Sequence, residues 1–209
     1  AGLSTAQVAA LSTGQVAALT SVQLNAMASD DLKALTTTQV RALTSDQLSK
    51  LSSDQVALMA TDDIAAISSA QISHLSTGAI GALTTAQAKA LTTAAINALT
   101  SAQIAAIETA DLAAMSSTQL SNMGNTQVAQ LTSLQVAALT TGQLKSLSSG
   151  QVAALTSAQL NALTSAQLPS LSSSQVRALT TDQLSKLTTT QVAGLSTAQV
   201  AALSTGQVA

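Results

Sequence analysis

The chain has 209 residues, with no Phe, Trp, Tyr or Cys, one His, one Pro and a formal net charge of −2. That composition excludes a disulfide framework and a thiolate metal site, and gives no basic face for nucleic acid or anionic lipid and no aromatic ring for base stacking. Only 8 % of the residues are charged, against about 25 % in ordinary soluble domains, so hydroxyl and amide groups must make up most of the polar surface.

Internal periodicity decides the architecture. A unit of eight residues headed by Leu3 (LSTAQVAA) runs through the chain without insertion or deletion, and its 26 heads, from Leu3 to Leu203, are all Leu, Ile or Met. These units are numbered octads 1 to 26. The second position is Ser or Thr in 22 of 26, the exceptions being Ala28, Ala60, Glu108 and Gly124. The third is Ser or Thr everywhere but Asn125. The fifth is Gln in 21 octads, Asp at 31, 63 and 111, and Ala at 79 and 95. The sixth is Val, Leu or Ile except at Ala88. The fourth and seventh vary freely, which marks them as solvent-facing.

From octad 1 onward the pattern predicts a short helix that restarts every eight residues. A continuous helix is rejected because eight residues at ~100° overshoot two turns by about 80°, so the Leu stripe would wind around the axis. A strand is disfavoured because alternation would leave neither face apolar, which keeps a β-solenoid only as the lesser alternative. Ser4 and Gln7 instead form the S/T-x-x-E/Q capping box, with Leu3 and Val8 at the two positions of a hydrophobic staple. The charges agree from octad 4 to octad 23. All nine acids fall at the cap or in the first turn: Glu108 at the cap, Asp30, Asp46, Asp54, Asp62 and Asp182 at N2, and Asp31, Asp63 and Asp111 at N3. All seven bases, Lys33, Arg41, Lys50, Lys89, Lys145, Arg177 and Lys186, fall at the other end, as the helix dipole favours.

Individual octads depart from this consensus in chain order. His74 replaces an Ala at the end of octad 9. Asn122, Met123, Gly124 and Asn125 depart most from the pattern and are expected to mark a local bend. Pro169 stands at N5 of octad 21, where its missing N–H and its ring predict a shortened or distorted unit over 164–171. Finally, residues 193–209 repeat residues 1–17 letter for letter (AGLSTAQVAALSTGQVA), offset by 192 residues or 24 octads. Arg41–Leu51 is echoed at Arg177–Leu187. The whole chain, 1–209, is therefore read as one continuous array, a window of a longer tandem protein with a super-repeat of about 24 octads.

A single octad buries too little to be stable, so the units must stack. The expected fold is all-α, a solenoid of very short capped helices, one per octad, with two octads per coil; three per coil is the alternative. Leu and Val from successive units form one narrow core, with Ala at the eighth position allowing close approach.

No residue is assigned a catalytic, cofactor or metal role. His74 has no Cys, Tyr or carboxylate motif beside it and suits a helix end. The doublets Asp30-Asp31 and Asp62-Asp63 lack the spacing of a Ca²⁺ loop and are explained by cap electrostatics. Glu108 and Asp111 read as an inverted capping box. The serines have no base to activate them. Met27, Met59, Met115 and Met123 are head-position core residues. An enzyme is not expected, nor are a cofactor, a nucleic acid partner, a small-molecule substrate or membrane insertion, since no apolar run approaches the ~18–20 residues of a span.

Units such as LTTAQAKA (Leu83–Ala90) and LSTAQVAA (Leu195–Ala202) resemble the repetitive stretches of very large bacterial secreted or cell-surface, adhesin-like proteins. The resemblance covers the whole chain and implies an extracellular, structural role. It transfers no site residue. The expected function is the shaft of an extracellular bacterial filament or the rigid spacer of a surface adhesin, self-associating with further repeats or copies. The alternative is a hydroxyl-row surface that binds ice or polysaccharide.

Overall fold

A computed structural model describes residues 3–208; Ala1, Gly2 and Ala209, which belong to the two matching seventeen-residue stretches, lie outside the described residues. Each octad but one folds as an α-helix of four to six residues, beginning with Thr5–Ala9, Thr13–Ala18 and Ser21–Asn25 and ending with Thr205–Val208. No strand occurs among the described residues.

The reason is local and repeats. At octad 2, the Ser12 hydroxyl accepts from the Gln15 N–H at 3.3 Å while the Ser12 N–H donates to Gln15 Oε1 at 2.8 Å. Both halves of the box use orphan donors of the first turn. Ala28 and Ala60 offer no side-chain cap, and their helices still form, with Asp30-Asp31 and Asp62-Asp63 in the first turn. Gly124 has no hydroxyl, but its N–H still donates to Gln127 Oε1 at 3.0 Å. Octad 16 is accordingly an ordinary helix, Asn125–Ala129.

Octad 21 is the exception, as Pro169 predicts. Its residues form a turn followed by a 3₁₀ segment, Leu168–Ser170, closed by Ser170 N–H to Gln167 O at 3.0 Å and Leu171 N–H to Leu168 O at 3.1 Å. Pro169 has no N–H for the carbonyl four residues back, so the tighter i→i+3 pattern takes over.

The chain divides into two compact units, Ala1–Ala114 (octads 1–14) and Met115–Ala209 (octads 15–26). Within each, a helix packs against the helix three octads away: Thr85–Ala90 on Thr109–Ala114 in the first unit, Ser173–Arg177 on Thr197–Ala202 in the second. Three octads, 24 residues, therefore complete one coil. The expectation of two octads per coil is corrected by these pairings. A two-layer zigzag needs the chain to reverse at every joint. The joints here consist of two extended residues, for example Leu139 (φ −61°, ψ 137°) and Thr140 (φ −71°, ψ 157°), with no positive φ at any described residue. Such a joint turns the chain by less than a reversal, and three of them close the coil.

The core is built from the head and sixth columns. Val136 and Leu144 have no exposed surface, and the heads Leu139 and Leu147 are 2 % and 5 % exposed. Met59, Met115 and Met123 lie in the same column, buried. The fourth column faces solvent even when apolar: Val22 is 75 % and Leu134 76 % exposed. Side chains there contribute little burial, which accounts for their variety.

Candidate functional site

The most ordered chemistry in the molecule lies in the fifth column. A capping box needs only an acceptor from its N3 residue, and Gln Oε1 supplies it. Within each unit, the other end of the interior Gln side chains turns into the coil before. In the first unit, Gln103 Nε2 donates to Ile72 O at 2.9 Å and Leu75 O at 2.7 Å while Oε1 accepts from the Thr100 N–H at 2.9 Å. In the second, Gln151 Nε2 donates to Leu120 O at 3.0 Å and Met123 O at 2.7 Å, and Oε1 accepts from the Ser148 N–H at 2.7 Å. The receiving groups are the carbonyl of the head residue three octads back and a carbonyl from the last turn of the helix before it. Helix C-termini leave such carbonyls short of intrahelical partners; the last-turn carbonyl already accepts one backbone N–H, as Ile72 O does from Leu75 at 3.2 Å, and the Gln amide adds a second donor. One side chain thus starts its own helix and finishes another, and within each unit a coil is laced to the one before it.

These amides are buried: Gln47 and Gln151 are 1 % exposed, Gln103 and Gln39 2 %. By contrast Gln23 in octad 3, exposed, uses only its Oε1, toward Thr20. The Gln103 side-chain amide protons are therefore expected to exchange with solvent much more slowly than those of Gln23. Nuclear magnetic resonance of amide-labelled chain measures this directly, and equal rates would remove the ladder.

The third column adds a lighter set of cross-coil bonds. The Ser149 hydroxyl donates to Ser174 O at 3.4 Å, and that of Ser173 to Ala198 O at 3.3 Å. The Thr85 hydroxyl donates to Asp111 Oδ1 at 2.9 Å. Asp111 thus has a partner in the preceding coil, which the inverted box with Glu108 does not anticipate.

Where Asp stands in the fifth column the ladder changes character. An Asp carboxylate is one methylene shorter than Gln and donates nothing. Burial pushes the Asp63 carboxyl above its ordinary value; the Ala60 N–H opposes this, and the adjacent Asp62 adds to it. Burial likewise raises Asp111, against the Thr85 hydroxyl and with the charge of Glu108. Ala79 and Ala95 leave the ladder without a side-chain rung at octads 10 and 12, although Ser76 and Thr92 still cap those helices through the amides of Ala79 and Ala95, both at 3.1 Å.

The remaining candidates stay apart from one another. His74 is exposed at the end of octad 9, where its backbone N–H donates to Gln71 O at 3.0 Å. Asp30 lies 4.0 Å from Lys33 Nζ on an exposed surface, a contact worth little. Among the described residues no three His, Cys, Asp or Glu side chains converge as metal ligands, and no helix is long and apolar enough to cross a membrane.

A search of curated proteins finds no match. The model of one family, described as ALTTAQ repeat, matches seven times, over residues 1–29, 24–61, 56–93, 104–141, 137–172, 157–189 and 184–209. The letters of that description stand in this chain at Ala82–Gln87, and the matches cover most of the sequence; the chain belongs to the ALTTAQ repeat family.

Proposed function

We propose that this array is a passive structural element, the shaft of an extracellular bacterial filament or the rigid spacer of a surface adhesin. One observation carries the reading: the chemistry repeated in every octad is spent inward. Cap hydroxyls accept from their own helix, as Thr100 Oγ1 does from the Gln103 N–H, the Gln amides hold coil to coil, and the head and sixth-position side chains fill the core. The solvent-facing fourth and seventh columns vary without a recurring constellation. A filament or spacer requires only that each unit hold the next, and an octad needs no further partner to do so. The occupied cap hydroxyls count against the ice- or polysaccharide-binding alternative, which would need those rows free.

The test is labelling of intact source cells with antibodies raised against residues 1–209, read by electron microscopy. Label along thin surface projections supports the reading. Label only in permeabilised cells, or on compact particles, overturns it.

A further inference from the structure

The Gln ladder is not uniform along the chain. The rung rule is that a fifth-column Gln reaches the carbonyls 31 and 28 residues before it, as Gln103 reaches Ile72 and Leu75. In the second unit every Gln from octad 18 to octad 26 donates into the coil before it. In the first unit the rungs of octads 5–7, 9, 11 and 13 are in place. Octads 8, 10, 12 and 14 have none. Their fifth residues are Asp63, Ala79, Ala95 and Asp111, each sixteen residues from the next.

The spacing of these gaps matters as much as their number. A coil holds three octads, so successive gaps fall in different rows of the stack. The row of octads 5, 8, 11 and 14 is broken at Asp63 and Asp111, the row of 7, 10 and 13 at Ala79, and the row of 6, 9 and 12 at Ala95. No row of rungs crosses this segment unbroken. The head carbonyls opposite Ala79 and Ala95 belong to Leu51 and Ile67, residues 3 % and 1 % exposed, and among the described residues these oxygens receive no donor. A buried carbonyl without a donor favours opening. Asp63 and Asp111 place carboxylates where a donor is needed. The same octads are weakened in two further ways. Gly78 and Gly81 stand in the short helix Thr77–Gly81, where only proline is a poorer helix former than glycine. Ala88 gives the core one methyl where every other sixth position supplies Val, Leu or Ile.

We propose that octads 8–14, residues 59–114, are a built-in yield segment: under tension their coils separate before those of the second unit, so that a loaded shaft lengthens at a set place. Cohesion between coils is what resists such a load, since an octad buries too little to hold alone, and four of these seven octads lack a rung. Local opening then costs less here than where the ladder is complete. The gain in length is large. Folded, the segment is little more than two coils, about 20 Å of stack at ~8–10 Å per coil. Extended, its 56 residues span roughly 190 Å at ~3.3–3.6 Å each. The mechanical meaning deepens the structural reading above and rests on it. The unequal cohesion does not, and it is measured on the isolated chain and not on cells, so the two fail separately.

Hydrogen exchange of residues 1–209, read by mass spectrometry, compares 59–114 with 139–194, a stretch of equal length in the second unit that includes Pro169. The amides of 59–114 should exchange at least about tenfold faster, since each net hydrogen bond lost shifts an opening equilibrium by roughly fivefold. Restoring the rungs with Asp63→Gln, Ala79→Gln, Ala95→Gln and Asp111→Gln should bring the two segments to similar rates. Moving the gaps instead, with Gln143→Asp, Gln159→Ala, Gln175→Ala and Gln191→Asp, should speed 139–194 to the rate of 59–114. This second variant only removes atoms, so it does not depend on the room beside Ala79 and Ala95. Pulled by its ends, the parent should first lengthen by roughly 190 Å, a step that the restored chain lacks. Equal exchange of the two segments in the parent, a stretch 139–194 left unchanged by the moved gaps, or release of the whole parent chain in one step overturns the proposal.

Discussion

A chain carrying Gln151→Glu is expected to lose about 3–5 kcal/mol of stability at neutral pH, the range for an uncompensated buried charge, and to recover much of it in acid. The substitution is nearly isosteric, and a Glu at N3 would still accept from the Ser148 N–H. What it cannot do is donate. Leu120 O and Met123 O lose the Nε2 donor at 3.0 and 2.7 Å and face a carboxylate instead. The site is 1 % exposed, so water does not compensate. The sign of the pH effect follows from the environment. Burial and carbonyl oxygens raise the folded-state pKa above the unfolded value of about 4.3. The penalty is then absent below that value and grows as pH rises through the folded pKa. Urea unfolding at pH 4 and pH 7 measures it. A variant as stable as the parent at pH 7, or one destabilised further in acid, would show that the Nε2 bonds contribute nothing. Gln151→Ala separates packing from charge: it should be milder than Glu at pH 7, since Ala79 and Ala95 already occupy this column.

The octad was legible in the sequence because its signals are local. Cap, box, staple and charge placement all lie within eight residues, and the caps and boxes appear in the structure where Ser or Thr and Gln stand at those two positions, as at Ser12 and Gln15. Pro169 was legible for the same reason, since a missing N–H acts on its own turn. The number of octads per coil was not legible. Repeats that are nearly identical carry no mark that counts them, and the offset of 192 between the matching ends is divisible by both two and three octads. The ladder left one readable trace. A capping box accepts Glu as readily as Gln, yet the fifth column holds 21 Gln and no Glu. An acceptor alone would not enforce that choice; a required donor does. The third-position hydroxyls left a weaker trace, because Ser and Thr at N1 are unremarkable for any helix start, and only bonds such as those from Thr85, Ser149 and Ser173 show that they reach across coils.

The same logic predicts that the chain can be strengthened by making it more regular. Asp63 and Asp111 sit in the fifth column, 3 % and 4 % exposed, and the rung rule places the carbonyls of Leu32 and Leu35 opposite the first and those of Ile80 and Leu83 opposite the second. Replacing both by Gln supplies the missing donors and retains an acceptor for the cap amides of Ala60 and Glu108. At about 1–1.5 kcal/mol for each net hydrogen bond, the double variant should gain roughly 2–3 kcal/mol at neutral pH, even though the Thr85 hydroxyl gives up its bond to Asp111. The gain must also depend on pH. Both carboxyls have folded pKa values raised chiefly by burial. In the parent, the stability tied to them is present in full below the unfolded pKa of about 3.9, and it is lost as pH rises through the folded values. The variant carries no such groups, so its advantage over the parent should be larger at pH 7 than at pH 3. Urea midpoints at the two pH values decide the matter. An advantage that vanishes at pH 7 or grows in acid would mean that Asp at these rungs is held by bonds stronger than the ladder it interrupts.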